Sequence, residues 1–241
     1  MFDDAHWAEV PAVADGVTHL SRFDLYRETG SKQQLSSLPK ILDLCCGFGR
    51  ISAELARRGF AVTGVDITES YLKTAREEAS YENLNIEYIN ADAREFVRED
   101  YFDAAVSLYI SLGYFSCQND DFLLVKNVFK SLKAGGSLII ETLGKEIAVR
   151  DFTEGEWFER AGFTVLTEYK ALDSWTLLNN RWILIKDGTR MEKSFTQRLY
   201  SASELRAMLL EAGFSKVEIF GDWDESPYDH KAKKLIVVAR K

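Results

Sequence analysis

Cysteine, histidine and proline are scarce in this 241-residue chain, with three of each. Cys45, Cys46 and Cys117 make an odd count with one adjacent pair and no C-x-x-C spacing, which excludes a disulfide framework. With only His6, His19 and His230 beside them, no metal site is expected. Three prolines and 15 glycines are too few for a low-complexity or disordered chain. No apolar run approaches the roughly 20 residues that span a bilayer, so no membrane association is expected. Met1 to Trp7 lack the basic and apolar regions of a secretory leader, and the expectation is a soluble, cytoplasmic protein. Positive charge is also short: Lys and Arg total 30 against 38 Asp and Glu, a net charge of −8. Nucleic-acid binders draw most of their affinity from basic surfaces, and the densest basic group here is only Lys231, Lys233 and Lys234, so no nucleic-acid partner is expected.

What is present is a globular composition, 46% hydrophobic and 28% charged. A chain of this length buries on the order of 70% of its unfolded surface. Strand-like and helix-like segments alternate. Apolar strand patterns at 41–44, 61–65, 86–89, 102–108 and 137–142 are separated by helical patterns at 51–58, 68–80 and 121–132. Thr68 is expected to cap its helix, Gly59 to end another, and 133–136 to form a turn. This rhythm predicts a doubly wound α/β domain with a parallel sheet. From 144 to 200 the helical period disappears. Aromatic and β-branched runs at 163–169, 174–186 and 190–200, the last two joined by Asp187-Gly188, predict an antiparallel insert of about three strands. An N-capped helix at 203–211 and strands at 217–220 and 235–239 then complete the main sheet, while the long connection 221–234 is able to shape a pocket. The expected organisation is one domain made of 1–143 and 201–241, opened by a helical segment at 1–40 and interrupted by the insert 144–200.

The chemistry concentrates in Asp43-Leu-Cys-Cys-Gly-Phe-Gly49, which follows a strand and opens a helix. Gly47 and Gly49 let the backbone turn sharply and approach a ligand, and the helix start supplies free N–H groups. Asp66 ends the next strand, roughly 20 residues on, where a carboxylate accepts from ribose hydroxyls. A nucleoside cofactor follows. A dinucleotide fingerprint would have a third glycine where Ser52 stands, and Asp43 would repel a pyrophosphate. Asp43 instead suits a ligand carrying an ammonium group. A nicotinamide-dependent oxidoreductase and a non-catalytic cofactor-binding protein remain the alternatives at this point.

Asp43-x-x-x-Gly47-x-Gly49 resembles motif I of the class I S-adenosylmethionine-dependent methyltransferases. Val65-Asp66-Ile67 is similar to their post-I motif, Asn90-Ala-Asp92-Ala93 to motif II, the stretch 102–109 to motif IV, and Leu132-Lys-Ala-Gly-Gly136 to the turn before strand five. The resemblance implies a Rossmann-like seven-stranded sheet whose last strand runs antiparallel. It implies S-adenosylmethionine as cofactor, bound by Asp43, Cys45 (through its backbone), Gly47, Gly49, Asp66, Ile67 beside adenine, Asp92 and Ala93 on the adenine edge, and Leu108. Leu44 to Arg50, Ser111 to Phe115, Arg181-Trp-Ile183 and Arg198-Leu-Tyr200 also resemble a bacterial and archaeal group of small methyltransferases with mostly unassigned acceptors. The insert is similar to the small sheet that covers the acceptor in sugar and amino-acid N-methyltransferases. Motif IV lacks the D/N-P-P-Y of enzymes that methylate base amines, and Cys117 lacks the preceding proline of a cytosine-C5 nucleophile.

Methyl transfer from a sulfonium is an in-line displacement in which the protein mainly positions the acceptor. The implied partner is a small molecule methylated on nitrogen or oxygen. Tyr109, Tyr114 and Phe115 follow strand four, at the sheet edge where such folds bind ligands. Tyr109, Tyr114, Arg181, Arg198 and Tyr200 are the expected acceptor contacts, with Arg181 and Arg198 equally suited to salt bridges within a sheet. No general base is assigned; Tyr109 and His230 are the candidates. Trp7 and Tyr26 suit either closure over the cofactor, as the resemblance implies, or plain helix packing. Acceptor identity and oligomeric state are not specified by the sequence.

Overall fold

The computed structural model describes residues 7–23 and 38–241. In chain order its elements are α1 (Val10–Leu20), β1 (Lys40–Leu44), α2 (Arg50–Arg57), β2 (Ala61–Asp66), α3 (Glu69–Tyr81), β3 (Ile86–Asn90), β4 (Phe102–Ser107), α4 (Gln118–Ser131), β5 (Leu132–Thr142), α5 (Lys145–Arg150), β6 (Gly155–Arg160), β7 (Phe163–Leu172), β8 (Leu177–Lys186), β9 (Thr189–Arg198), α6 (Ala202–Ala212), β10 (Lys216–Phe220) and β11 (Leu235–Arg240). Seven strands form one sheet in the order β10-β11-β5-β4-β1-β2-β3. β1 to β5 run parallel, and β11 lies antiparallel between β5 and β10. This is the expected doubly wound architecture with a reversed final strand.

The central strands are buried at nearly every position because helices cover both faces. On one face, Leu42, Leu44 and Ala105 pack with Leu124 and Val125 of α4 and with Leu205 and Leu209 of α6. On the other, Ile41, Val62 and Val106 pack with Val13 and Val17 of α1 and with Ile51 and Leu55 of α2. Strand order reverses between β1 and β4, and this switch point opens a crevice at the carboxyl edge.

Several local expectations shift. Thr68 occupies the N-cap of α3 but its side chain makes no cap bond; its N–H is instead taken by Asp66. The N-cap of α6 is Ser201, in a reciprocal capping box with Glu204. Residues 133–136 do not make a free turn: β5 starts at Leu132 and runs through them, with an irregular register opposite Phe102 and Ala104.

The insert is a four-stranded antiparallel sheet, β6-β7-β8-β9, one strand more than expected. The extra strand, β6, is mostly exposed and half charged, with Trp157 and Phe158 adjacent rather than alternating, so it lacks the apolar alternation that marks a strand in sequence. Asp187 and Gly188, with φ of 49° and 75°, make the primed turn anticipated between β8 and β9. The exit of β9 is stitched to the loop after β4 and to the start of the insert. Arg198 N–H donates to the Gly113 carbonyl at 2.7 Å, Lys145 N–H donates to the Tyr200 carbonyl at 2.9 Å, and Ala148, Leu178 and Leu199 form a small apolar cluster there. No helix among the described residues is long and apolar enough to cross a membrane.

Candidate cofactor and acceptor site

The loop between β1 and α2 is shaped by backbone that side chains disfavour. Cys45, Gly47 and Gly49 have φ of 57°, 55° and 72°. At Gly49 a side chain would also strike the Tyr88 hydroxyl. At Gly47 the space beside the backbone is open, so glycine is required there by conformation alone. Cys46 N–H donates to the Val65 carbonyl, and Gly47 N–H to Asp66 Oδ2 at 2.9 Å. Asp66 Oδ1 accepts from Thr68 N–H at 2.8 Å. One buried carboxylate thus fixes the glycine loop to the start of α3.

Asp43 is only 4% exposed, and its Oδ2 accepts from the Ser52 hydroxyl at 2.5 Å. Burial pushes its carboxyl up to about 6; the nearby Asp66 charge adds to this, while the Ser52 bond and the Arg50 charge oppose it. Arg50, first residue of α2, is also buried, with its guanidinium 4.7 Å above the Tyr109 ring and 5.6 Å from that of Trp7. Asp43, Cys45, Gly47, Arg50, Leu108 and Tyr109 line a cavity of about 120 Å³. That volume suits an amino-acid end rather than a whole nucleoside, for which sites of about 300 Å³ or more are usual. A deep carboxylate, a buried guanidinium and a helix start together match an ammonium and a carboxylate on one carbon. Ile67, 67% exposed at the end of β2, offers an apolar ledge outside the cavity. The residues fit S-adenosylmethionine, methionine end inward.

The adenine edge departs from expectation. Asp92 is bound by Arg94, whose Nη2 donates to Oδ2 at 2.6 Å and which also reaches Asp120 at 3.0 Å. These bonds hold the Asp92 carboxyl below its ordinary range. Asp92 is thus already engaged by a side chain of its own loop. Ala93 is buried beside it.

Burial pushes the Cys45 thiol up to about 12 and that of Cys46 higher still, so neither is a thiolate near neutrality. No cluster of His, Cys, Asp and Glu able to hold a metal occurs among the described residues.

On the acceptor side, the structure brings Tyr109 into the cavity and Tyr114 against Phe195 of β9, with ring centroids 5.6 Å apart. It does not leave Tyr200 available. Tyr200 is 3% exposed and its hydroxyl donates to Asp121 Oδ2 at 2.7 Å, while Asp121 Oδ1 accepts from Gly113 N–H at 3.0 Å. Tyr200 is a clamp on the loop after β4 rather than a ligand contact. Arg198 lies at the same joint, with its Nε buried and unpartnered among the described residues. Arg181 is corrected: it pairs with Glu168 and Glu192, both at 2.7 Å, and lines a separate cleft on the insert. His230 is exposed, and its carbonyl accepts from Arg150. It is not brought to the cavity. Trp7 does approach the site, whereas His6 and Tyr26 lie outside the described residues.

Sequence reasoning missed Arg50 and the partner role of Ser52. The signals were present: an arginine directly after the second glycine, and a hydroxyl where a dinucleotide site has glycine.

Residues 41–136 match the family model described as a methyltransferase domain. The putative methyltransferase YqeM of Bacillus subtilis (strain 168) is 30% identical over 216 residues, covering 86% of this chain and 87% of that protein. The fold is similar to that of the CcbJ methyltransferase from Streptomyces caelestis, with a TM-score of 0.80 and 19% identity over 96% of this chain and 89% of that one. It is also similar to S-adenosylmethionine-bound CalS10, an amino pentose methyltransferase from Micromonospora echinaspora, with a TM-score of 0.71 and 20% identity over 98% and 92% of the two chains. With a relative of this identity matched along most of both chains, the protein belongs to the class I S-adenosylmethionine-dependent methyltransferases.

Proposed function

We propose that the protein transfers the methyl group of S-adenosylmethionine to a nitrogen or oxygen of a small-molecule acceptor. The observation that carries this reading is the pairing of buried Asp43 with buried Arg50 in one small cavity at the β1/β4 switch point. The cofactor supplies the methyl group and the sulfide leaving group. Asp43 accepts from the ammonium, Arg50 meets the carboxylate, Asp66 takes the ribose hydroxyls and Ile67 supports adenine. Leu108 and Tyr109 bound the sulfonium end, where an aromatic face favours positive charge. As the acceptor lone pair forms its bond to carbon, the carbon–sulfur bond breaks, and an amine acceptor must already have shed its proton.

The insert 144–200 is the proposed acceptor cover. Arg198 and Tyr114 are its nearest candidates for contact, because β9 is tied to the loop after β4. The amino pentose acted on by CalS10 makes amine acceptors the first to try. Calorimetry with S-adenosylmethionine, its demethylated product and NADH tests the cofactor. Transfer of labelled methyl to a panel of amines, phenols and carboxylates tests the reaction. Binding of NADH but not S-adenosylmethionine would overturn the proposal.

A further inference from the structure

Tyr109 and Ile110 are successive residues without a glycine between them, both in the left-handed region with φ of 53° and 62°. L-residues disfavour this conformation, so a pair of them persists only where neighbours enforce it. Glu141, the second-last residue of β5, takes both of their N–H groups. Its Oε2 accepts from Tyr109 N–H at 2.6 Å, and its carbonyl accepts from Ile110 N–H at 3.3 Å. Its remaining carboxylate oxygen, Oε1, accepts from Lys234 Nζ at 3.2 Å. Lys234 immediately precedes β11, and the β5–β11 register brings it alongside. Glu141 is 7% exposed. The kink it secures aims the Tyr109 ring at the Arg50 guanidinium, and both line the cavity with Asp43.

We infer that Glu141 is a positioning residue of the cofactor site: with Lys234 as counter-ion, it fixes the Tyr109–Ile110 kink that sets Tyr109 against Arg50. The inference rests on the reading of this cavity as the methionine end of the S-adenosylmethionine site. A carboxylate is a stronger acceptor for a backbone N–H than a neutral group, and Lys234 places its charge against the other carboxylate oxygen. Both oxygens are occupied, so Glu141 is not assigned a role in moving protons.

The test is calorimetric affinity for S-adenosylmethionine and its demethylated product, with melting temperature measured alongside. Glu141→Ala is expected to weaken both ligands tenfold or more. Glu141→Gln keeps a carbonyl oxygen for Tyr109 N–H and is expected within about threefold of wild type. Adding Ile110→Gly to Glu141→Ala is expected to restore at least a third of the lost affinity on a logarithmic scale, because glycine adopts the kink without an anchor. A merely structural role at the end of β5 would lower the melting temperature without rescue by glycine at 110. Should Glu141→Ala not fold, Lys234→Met carries the same test, with threefold or greater weakening that Ile110→Gly reverses. Unchanged affinity in these variants, or a loss that neither Gln nor glycine repairs, overturns the inference. Failure of the wild-type protein itself to bind S-adenosylmethionine overturns the cofactor reading beneath it.

Discussion

Asp43→Asn is expected to make the ligand-free protein more stable and the site worse. The Asp43 carboxyl titrates at about 6 in the folded protein against 3.8 ordinarily, chiefly because it is buried. The folded protein therefore binds this proton more tightly than the unfolded chain. Stability from the group is greatest in acid and is lost as pH rises from 3.8 through about 6. At 1.36 kcal/mol per pKa unit, the ionised carboxylate costs about 3 kcal/mol above pH 6 and roughly 1 kcal/mol at pH 4.5. An asparagine carboxamide still accepts from Ser52 and carries no charge to desolvate. Its advantage should thus grow by ~2 kcal/mol between pH 4.5 and pH 8, or roughly 4–8 °C in melting temperature for a chain of this size. Cofactor affinity should move oppositely. Losing a charge-assisted bond to the ammonium is worth about 1.5–3 kcal/mol, a weakening of roughly 10- to 100-fold. Wild-type affinity should also fall about tenfold per pH unit below 6, since Asp43 must shed a proton to bind, and the variant should lack this dependence. Denaturant unfolding and calorimetry at the two pH values are the assays. A variant no more stable than wild type at pH 8, equally stabilised at both pH values, or unchanged in affinity refutes the reasoning.

Asp66→Ala should weaken S-adenosylmethionine about tenfold or more by calorimetry, and should also lower the melting temperature, because the N–H groups of Gly47 and Thr68 lose their acceptor. Tyr200→Phe leaves Asp121 short of a buried donor and should cost about 1–3 kcal/mol in denaturant unfolding. Gly49→Ala forces a methyl group against the Tyr88 hydroxyl in a left-handed backbone; a thermal shift below that of wild type and weakened cofactor binding are expected. Arg181→Ala breaks only surface pairs and should leave the melting temperature unchanged and cofactor affinity within about threefold of wild type; a larger loss of affinity would return Arg181 to the site.

The cofactor half of the site was legible because its chemistry is local. Asp43, Gly47 and Gly49 sit within one turn, and Asp66 falls at the end of the next strand, so spacing alone places them together. The acceptor half was harder because its geometry is non-local. Arg181 and Tyr200 stand in motifs that look alike in sequence, yet cross-strand partners absorb one and Asp121 the other. Glu141 and Lys234 were invisible for the same reason: only the antiparallel pairing of β5 and β11 makes them neighbours. His230 attracted notice as a histidine in a long loop, but exposure, which no local pattern reports, removes it. The strand β6 was missed because its charged, exposed residues carry no apolar period.

The way β9 leaves the insert has a consequence for how such a protein can diversify. The joints are the Arg198–Gly113 backbone bond to the loop after β4, the Lys145–Tyr200 backbone bond that ties the two ends of the insert together, and the Tyr200–Asp121 clamp. Backbone bonds are indifferent to side-chain identity. The strands from Gly155 to Gln197 can therefore be exchanged as a cassette, provided that Arg198 to Tyr200 stay in register and that apolar residues are kept where Phe195 packs on Tyr114 and Leu178 packs on Ala148 and Leu199. A graft of a relative's strands between those points should fold and keep its cofactor affinity while acquiring a different acceptor surface. One that shifts Tyr200 by a single residue should turn the tyrosine away from Asp121 and release the loop that carries Tyr109 and Tyr114.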